Sequence, residues 1–289
     1  MYYILYNPIS GNGKGGQELD RVKSLVDGEY KLIDVTDHVD YKELFSSMSE
    51  SDTVILSGGD GTINRFANNI YDIDVKNDIY YYASGTGNDF IHDCKDANVD
   101  GLTLLNKYIK DLPTVEIDGV TNRFVNGIGY GIDGYCCEEG DKKRAKSTKP
   151  VNYTAIAIKG LLFAFKPRRA TITVDGVTKE YKKVWIAPTM NGRLYGGGMI
   201  PTPDQDRLNP ERNLSLMVLH GLGKIATLML FPSIFKGEHV KNTKAVDVIV
   251  GKEITVKFDR PTPLQIDGET VLDVTEYTAR SSALVAEKV

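Results

Sequence analysis

The first third of the chain alternates short apolar runs with helical patterns, and this alternation constrains the fold more than any other feature. The apolar runs are YYILYN, YKLIDVT, TVILSGG and IYYYASG, and a helical pattern follows each of them, the last being GLTLLNKYI. Strands and helices that alternate at this interval favour a doubly wound parallel sheet covered on both faces by helices. In such a sheet the functional loops lie at the carboxyl ends of the strands.

After about Asp118 the pattern changes to strands separated by turn residues. The segments FVNGIGYGI, RATITVDG, KEYKKVWIAP, NLSLMVL, AVDVIV and EITVKF predict a β-rich, sandwich-like domain of mostly antiparallel strands. Apolar insertions at residues 153–166 and 224–237 predict two helices. We therefore predict an α/β domain over residues 1–120 and a β-rich domain over residues 121–289, whose last residues are candidates to pack back on the first domain.

Composition limits the partners of the chain. Its net charge of -4 gives no overall basic field, so a nucleic-acid partner is not expected. The three cysteines are odd in number and include an adjacent pair without metal-ligand spacing, which favours a reducing, cytoplasmic compartment. No segment approaches the roughly 20 apolar residues of a spanning helix, so we expect any membrane contact to be peripheral.

The segment SGGDGTIN (57–64) follows the apolar strand TVIL and opens a predicted helix. Backbone N–H groups at such a turn can bind a phosphate, and Gly58, Gly59 and Gly61 allow the close approach that this requires. Asp60 would repel a phosphate unless a cation lay between them, so the loop indicates a magnesium nucleotide. The alternative interpretation is an ordinary strand-to-helix turn with an aspartate cap.

The segment SGTGNDF (84–90) repeats this arrangement after the strand IYYYA. Thr86 and Asn88 supply neutral hydrogen-bonding groups, and Asp89 supplies a second carboxylate. With Asp118 added, the chain offers three acidic groups that could hold a cation directly or through water, as phosphoryl transfer requires. Taken alone, Asp118 fits the first position of an Asp-Gly hairpin turn better than a metal site.

The N-terminal glycine-rich loop carries a rival signal. Gly11, Gly13 and Gly16 satisfy the pattern G-x-G-x-x-G, and Asp34 ends the next predicted strand, where a dinucleotide-binding fold holds a ribose. Residues 7–10 nevertheless separate the strand from the first glycine, whereas the dinucleotide fingerprint turns at the strand end. Dinucleotide binding is therefore the weaker interpretation of this loop.

The same loop is not a phosphate-binding Walker A loop, because glycine rather than serine or threonine follows Lys14. We interpret Asn7, Ser10 and Gly11 as neutral donors for nucleotide phosphates. The four histidines show no metal-ligand spacing, and we assign them no catalytic role.

Six segments in fixed order carry a family resemblance. They are NPISGNGKG (7–15), SGGDGTIN (57–64), GTGNDF (85–90), FVNGIGYGID (124–133), NGRLYGGG (191–198) and LQIDGE (264–269). This order resembles the diacylglycerol-kinase catalytic domain family, which bacterial lipid kinases share and to which sphingosine and NAD kinases are more distantly related. The occurrence of both GTGNDF (85–90) and DGE (267–269) resembles the pattern of the diacylglycerol-kinase branch of this family.

The resemblance implies an ATP-dependent kinase that phosphorylates a lipid hydroxyl, with its active site in the cleft between the two domains. It implies Asp267 as the general base, with Glu269 beside it on the nucleotide side, and Asp60, Asp89 and Asp118 as the residues that organise magnesium. The implied nucleotide-binding residues are Asn7, Ser10, Gly11, Thr36, Gly58, Gly59, Gly61, Thr62, Thr86 and Asn88. Taken alone, Asp267 could be a mere turn residue, since Asp-Gly pairs favour turns.

This chain departs from the family pattern at two places. Arg65 stands where the family commonly has an acidic residue after GGDGTxN, which reverses the charge at the mouth of the site. The stretch that commonly carries an Asp-Gly for a structural magnesium reads Pro210-Glu211-Arg212-Asn213-Leu214 here. Glu211 is a candidate replacement for that aspartate, and loss of the metal is the equal alternative.

An apolar helix with a basic rim suggests contact with an anionic membrane surface. Leu161, Leu162, Phe163 and Phe165 supply the apolar side chains, and Lys166, Arg168 and Arg169 follow them. The segment before this helix is predicted to be a loop and carries the cations Lys142, Lys143, Arg144, Lys146 and Lys149. The favoured alternative is that this helix packs on the β-sheet and that the lysines are solvated. The sequence leaves open a homodimer, a kinase of NAD or another soluble alcohol, and a non-catalytic nucleotide sensor.

Overall fold

A computed structural model describes residues 1–98, 101–146 and 151–286. The chain divides into two compact units, Met1–Leu112 and Pro113–Val289. This division falls before the boundary predicted at residue 120, because the strands Thr114–Ile117 and Val120–Arg123 belong to the sheet of the second unit.

The first unit is built on a five-stranded sheet. Its strands are β1 (Tyr2–Tyr6), β2 (Tyr30–Asp34), β3 (Thr53–Gly58), β4 (Ile79–Ala83) and β5 (Thr103–Leu104), in the order β2-β1-β3-β4-β5. The first four strands are parallel, and β5 is antiparallel to β4. The helices are α1 (Ser10–Gly13), α2 (Gly15–Ser24), α3 (Tyr41–Ser46), α4 (Asp60–Ile70), α5 (Asp89–Asp93) and α6 (Asn106–Ile109). This arrangement confirms the predicted parallel α/β domain.

Both faces of the central strands carry helices. Leu19 and Val22 of α2 pack with Ile4 and Ile55 on one face of the sheet. Phe66 of α4 lies near Leu56, which the alternation of strand side chains places on the opposite face. Burying one such large apolar side chain contributes about 1.5–3 kcal/mol. These contacts fix α4, and with it the loop between β3 and α4.

The strand order also bears on the dinucleotide interpretation. The order β2-β1-β3-β4 is that of flavodoxin-like sheets, whereas the dinucleotide-binding Rossmann order places the third strand outside the second. The long helix α2 begins at Gly15, well after the end of β1. Both features argue against a Rossmann fingerprint at the N-terminal loop.

The segment GLTLLNKYI was predicted as a helix, and this prediction is wrong for its first half. Thr103 and Leu104 form β5, which pairs with Tyr81 and Tyr80 of β4, and only Asn106–Ile109 is helical. The Asn98 amide N–H donates to the Thr103 hydroxyl at 2.9 Å and so fixes the first residue of β5. Pairing at the sheet edge therefore outweighs the helical pattern of the apolar residues.

The second unit is a ten-stranded antiparallel sheet, which confirms the predicted β-rich domain. Its strands are β6 (Thr114–Ile117), β7 (Val120–Arg123), β8 (Gly127–Tyr130), β9 (Arg168–Val174), β10 (Val177–Val184), β11 (Thr189–Met190), β12 (Leu214–Leu219), β13 (Val246–Gly251), β14 (Glu253–Ile266) and β15 (Glu269–Arg280). The main order is β13-β12-β11-β8-β14-β15-β6-β7, and β9 pairs with both β14 and β10. One core cluster lies among these strands, around Tyr130, Phe258 and Tyr277.

Helices cover part of the second sheet around Trp185, Met217 and Leu219. They are α7 (Ile132–Arg144), α8 (Tyr153–Lys159) with a π-helical turn Gly160–Ala164, and α9 (Lys224–Leu230) with 3-10 helices Phe231–Lys236 and His239–Lys241. A further short helix, α10 (Ser282–Ala286), follows β15. The insertions at 153–166 and 224–237 are thus helical, as predicted. Lys142, Lys143 and Arg144 were assigned to a loop, but they form the last turn of α7; Lys149 lies outside the described residues.

None of the helices in these described ranges combines the length and the apolar composition that crossing a bilayer requires.

Candidate active site

The first unit has a crevice at the carboxyl ends of β1 and β3. The chain leaves β1 toward β2 on one side and returns past β1 to β3, and ligands of open α/β sheets bind at such a switch point. A polar cavity of about 170 Å³ lies at this place. Its lining residues are Asn7, Val35, Asp37, His38, Val39, Tyr41, Leu56, Thr62, Arg65, Phe66 and Asn69.

Hydrogen bonds tie the N-terminal loop to the crevice. The backbone N–H of Asn7 donates to the Ser57 carbonyl at 3.0 Å, and its side-chain amide donates to the Thr62 hydroxyl at 3.0 Å. The Ser10 hydroxyl donates to the Asn7 carbonyl and lies 2.9 Å from the Ser84 hydroxyl. Three sequence segments that are far apart in the chain, 7–11, 57–62 and 84–90, therefore meet at one edge of the sheet.

Glycine is required where these segments touch. A Cβ atom at Gly85 would lie 2.6 Å from the Cα atom of Gly59, so the loops after β3 and β4 approach more closely than any larger residue allows. Gly11 has a φ of +58°, and a Cβ there would lie 2.6 Å from the Ser84 carbonyl oxygen. The predicted phosphate-binding glycines Gly11, Gly58 and Gly59 are therefore closely packed against the loop after β4.

Asp60 links the two loops through its carboxylate. One carboxylate oxygen accepts from the backbone N–H of Asp89 at 3.1 Å, and the other accepts from the backbone N–H of Phe90 at 2.8 Å. Asp60 is the first residue of α4 and at the same time caps the N-terminus of α5. The structure brings Asp60 and Asp89 together, and Asp89 itself is buried.

Asn88 has an unusual environment. Its backbone is left-handed, with a φ of +53°, and its side-chain oxygen is buried without a hydrogen-bond partner among the described residues. Most buried polar atoms in proteins have a partner, so this acceptor is suited to an N–H donor of a ligand. The neighbouring Thr86 is exposed, and so is Gly87.

Thr36 and Arg65 lie beside the crevice. Both the backbone N–H and the hydroxyl of Thr36 donate to one carboxylate oxygen of Asp34, at 2.8 and 2.6 Å. The carboxylate that a Rossmann fold would offer to a ribose is thus bonded to its own turn. Arg65 lines the cavity with His38, and its positive charge opposes the rise in the pKa of Tyr41 that burial causes.

The predicted carboxylates do not form a metal cage within either unit. Among the residues that the structure describes, no group of three or more His, Cys, Asp or Glu side chains could hold a metal ion. Asp118 is exposed in the two-residue turn between β6 and β7, with a φ of +50°. Glu211 is exposed and accepts from the Asn213 side-chain amide at 2.8 Å. Arg212 has a φ of +56°.

In the second unit, Asp267 is held by backbone amides. Its carboxylate accepts from the backbone N–H groups of Val125, Asn126 and Gly127 at 2.5, 2.8 and 2.9 Å. Asp267 and Gly268 form the two-residue turn between β14 and β15, both with positive φ. Charge-assisted bonds of this kind stabilise the ionised carboxylate and fix its orientation. Glu269 follows as the exposed first residue of β15.

Sequence reasoning missed the side chains that support this turn. Arg207 is buried and donates to the Val125 carbonyl at 3.3 Å and to the Asn126 side-chain oxygen at 3.0 Å. Gln205 is also buried, and its amide donates to the Asn191 and Asn213 carbonyls. No local pattern indicates the contacts of Arg207, because they join residues 81 and 82 positions apart in the chain.

A buried carboxylate was missed as well. Asp133 lies at the start of α7, accepts a hydrogen bond from the Tyr195 hydroxyl, and packs against Gly129. Burial raises the pKa of Asp133 to about 7, and the Tyr195 bond offsets part of that rise. The signal in the sequence is the run GYGID, in which an aspartate follows a glycine-rich strand.

Comparison with known proteins identifies domains in both parts of the chain. Residues 1–116 match the diacylglycerol kinase catalytic domain, and residues 126–283 match the YegS C-terminal NAD kinase beta sandwich-like domain. The chain is 23% identical to the Bacillus subtilis (strain 168) protein named "Putative lipid kinase YtlR", over 97% of this chain and 96% of that protein. It is 25% identical to the diacylglycerol kinase of Mycobacterium tuberculosis, over 82% of this chain and 79% of that protein.

The fold has close counterparts among solved structures. The crystal structure of a diacylglycerol kinase from Bacillus anthracis strain Sterne aligns with a TM-score of 0.60 and 17% identity, over 97% of this chain and 94% of that chain. Matched domains cover both units in the predicted order. This chain therefore belongs to the diacylglycerol-kinase and lipid-kinase family of phosphotransferases, with a diacylglycerol kinase catalytic domain followed by a YegS C-terminal domain.

Proposed function

We propose that this protein transfers the γ-phosphoryl group of ATP, with magnesium, to the hydroxyl group of diacylglycerol or a related membrane lipid. The observation that carries the proposal is the convergence of three glycine-containing segments on the switch-point crevice, with Asp60 at its edge. The names of the relatives, diacylglycerol kinase and lipid kinase, support a lipid as acceptor.

In this proposal, the crevice of the first unit binds the nucleotide. The N-terminus of α4 directs backbone N–H groups toward a phosphate, and Asn7, Ser10 and Thr62 add neutral hydrogen bonds. Arg65 supplies a positive charge for the phosphates at a place where the family commonly has an acid. The unpartnered side-chain oxygen of Asn88 accepts an N–H group of the nucleotide.

The carboxylates of the site suit a magnesium ion that arrives with the nucleotide. Magnesium in kinase sites is usually held by one or two carboxylates together with phosphate oxygens and waters, rather than by an all-protein cage. Asp60, Asp89 and Asp118 are the proposed carboxylates, and the bound ion would neutralise charge on the transferred phosphate. Glu211 stands without two further acidic or histidine ligands among the described residues, so we assign no structural metal to it.

Asp267 is the proposed general base for the lipid hydroxyl. Three backbone amides hold its carboxylate in one orientation, which places an acceptor for the hydroxyl proton. The same amides stabilise the ionised form of the carboxylate, which is the form that accepts a proton. Arg207 positions the amides by binding the carbonyl of Val125 and the side chain of Asn126.

An exposed apolar patch in the second unit supports peripheral membrane contact. Phe163 is 76% exposed, Ile225 is 72% exposed and Met229 is 78% exposed, whereas Leu161 and Phe165 of the same insertion are buried. The Lys224 ammonium donates to the Leu162 carbonyl at 2.8 Å and so joins α9 to the π-helical turn. Lys159, Lys166 and Lys224 are close to these apolar residues in the sequence. Each cation near an anionic surface contributes about 1 kcal/mol to membrane binding.

The test of the reaction is transfer of labelled γ-phosphate from ATP to lipids in mixed micelles, with and without magnesium. We expect magnesium-dependent labelling of a lipid alcohol and no labelling of NAD. Transfer to NAD or to a soluble alcohol alone would replace the lipid proposal. Saturable nucleotide binding without any transfer would indicate a sensor.

The test of the membrane surface is sedimentation with vesicles of phosphatidylglycerol and phosphatidylcholine. Because burying a Phe or Met side chain contributes about 1.5–3 kcal/mol, we expect the Phe163→Ser, Met229→Ser double variant to bind at least tenfold more weakly. Val177→Ser is the matched control, since Val177 is 75% exposed and is the first residue of β10. Equal binding of the double variant and the control would refute the patch.

A further inference from the structure

A cavity of about 740 Å³ lies within the second unit, between the loop of residues 202–213 and β13. Its volume falls in the range of sites that hold small organic ligands. Neither the phosphoryl-transfer proposal nor the membrane patch uses it. Six of its lining residues, Thr202, Asp204, Asp206, Glu211, Val248 and Val250, define what it could bind.

One wall of the cavity is apolar. Val248 and Val250 alternate along β13, so their side chains point to the same face of the sheet. Val248 is 42% exposed and Val250 is 55% exposed, so part of each side chain is open to solvent. This wall would gain contact with an apolar group of a ligand.

The opposite side of the cavity is acidic. Asp204 and Glu211 are exposed and Asp206 is half-buried, and no Lys, Arg or His is among the cavity-lining residues in the described part of the chain. A cavity lined by one sign of charge concentrates ligands of the opposite sign. These carboxylates do not form a group that could hold a metal ion, which favours an organic cation over a divalent metal.

A third, independent observation is the Thr202 hydroxyl. Thr202 is 1% exposed and lines the cavity, and its oxygen has no hydrogen-bond partner among the described residues. A buried hydroxyl without a partner is destabilising, so a ligand that donates to it gains affinity. An ammonium group is such a donor, whereas a carboxylate is not.

We propose that this cavity binds a small amphiphilic cation, a molecule with a protonated amine on an alkyl or aryl group. The ammonium group faces the carboxylates of Asp204 and Glu211 and donates to Thr202, while the apolar group covers Val248 and Val250. The site and its test do not depend on kinase activity, because the readout is binding.

The probe is hexylammonium chloride, titrated into the full-length protein and followed by calorimetry or by chemical shifts. Hexanol, sodium hexanoate and methylammonium chloride are controls that remove the charge, reverse it or remove the alkyl chain. We expect hexylammonium to bind at least tenfold more tightly than each control. Binding of hexylammonium no tighter than methylammonium or hexanol would overturn the proposal.

Substitutions locate the site. The Asp204→Asn, Glu211→Gln double variant changes exposed residues, so we expect it to fold and to bind hexylammonium at least fivefold more weakly. Val250→Ser should weaken binding several-fold. Glu180→Gln and Val177→Ser, which change exposed residues of β10 outside the cavity, should leave affinity unchanged. Equal affinity of all four proteins would overturn the proposal.

The Thr202→Val variant tests whether the Thr202 hydroxyl binds the ligand or only destabilises the fold. Removing the unpartnered hydroxyl should raise the melting temperature of the free protein and lower its affinity for hexylammonium several-fold. A raised melting temperature with unchanged affinity would show that Thr202 does not contact the cation. Magnesium chloride is titrated in parallel. If magnesium binds in place of hexylammonium, and the Asp204→Asn, Glu211→Gln variant no longer binds magnesium, the result would instead support the predicted metal role of Glu211.

Discussion

Two turns in the second unit have the same sequence and the same backbone geometry but hold different parts of the molecule. Asp175-Gly176 joins β9 to β10, and Asp267-Gly268 joins β14 to β15. All four residues have positive φ, as type I′ hairpin turns require. In both turns the aspartate carboxylate also accepts hydrogen bonds from the backbone of a distant segment.

The difference lies in what each carboxylate binds. Asp175 accepts from the backbone N–H groups of Lys252 and Glu253, at the exposed connection between β13 and β14. Asp267 accepts from three amides at the start of β8, which buried Arg207 also supports. Accepting hydrogen bonds from backbone amides is therefore a structural property of the aspartate in both turns. A catalytic role for Asp267 needs a result that Asp175 does not share.

The largest expected effect is on turnover in the Asp267→Asn protein. An asparagine cannot take the hydroxyl proton, and loss of a general base costs about 10²–10⁴-fold in rate. We expect kcat for lipid phosphorylation to fall about 10³-fold in the micelle assay, while ATP binding persists. Asp175→Asn is the matched control and should retain at least half of wild-type turnover.

Stability measurements make this comparison decisive. Both variants weaken charge-assisted bonds to backbone amides, so both should lose similar unfolding free energy in urea. If Asp267→Asn loses stability as Asp175→Asn does but keeps its turnover, Asp267 is a structural turn residue. If only Asp267→Asn loses turnover, the amides at β8 serve to orient a base.

The two turns also show what sequence reasoning can reach. An Asp-Gly pair between alternating strands predicts the turn from local preference alone, and the glycine-rich loops after β3 and β4 were found in the same way. The partners of Asp175 and Asp267 lie about 75 residues or more away in the chain, so no local pattern indicates them. The buried Arg207 escaped notice for the same reason.

Helix α7 was missed for a different physical reason. Its buried positions include Asp133, Gly134 and Gly140, so its sequence lacks the apolar periodicity by which helices are predicted. A Cβ at Gly134 would lie 1.8 Å from the Pro263 carbonyl oxygen, so the helix packs on β14 through backbone contact. Close packing through glycine leaves no hydrophobic pattern in the sequence.

The next largest effect extends the comparison to Asp133. The hydrogen-bond donor to the Asp133 carboxylate is the Tyr195 hydroxyl, whereas the donors to the Asp267 carboxylate are three backbone amides. Burial raises the pKa of Asp133 to about 7, so the folded protein binds a proton that the unfolded chain has released above about pH 4. Its contribution to stability is complete below about pH 4 and is lost as the pH rises through 7. We expect this group alone to lower the unfolding free energy by about 2–3 kcal/mol between pH 5 and pH 8.

The measurement is urea unfolding of the wild type and of Asp133→Asn at pH 5, 6.5 and 8. The variant cannot ionise, so its stability relative to the wild type should improve by the same amount over this range. Parallel pH profiles of the two proteins would show that Asp133 is not protonated in the folded state. Asp175→Asn should leave the pH profile between 5 and 8 unchanged.

A smaller effect is expected for the stability of Asp175→Asn itself. Weakening hydrogen bonds from two backbone amides to a charged carboxylate should cost about 1–2 kcal/mol in urea unfolding at pH 7. A variant as stable as the wild type at pH 7 would mean that the Asp-Gly turn, and not the carboxylate, holds the connection to β14.

The smallest expected effect concerns Asp118-Gly119, the third turn of this kind, between β6 and β7. Asp118 is exposed, and asparagine also tolerates positive φ, so Asp118→Asn should change the unfolding free energy by less than about 0.5 kcal/mol. If Asp118 serves magnesium as proposed, the half-saturating magnesium concentration in the kinase assay should rise about three- to tenfold, since a neutral amide is a weaker ligand than a carboxylate. Unchanged stability with unchanged magnesium dependence would leave Asp118 with the role of the turn alone, so that among the three matched turns only Asp267 could carry chemistry.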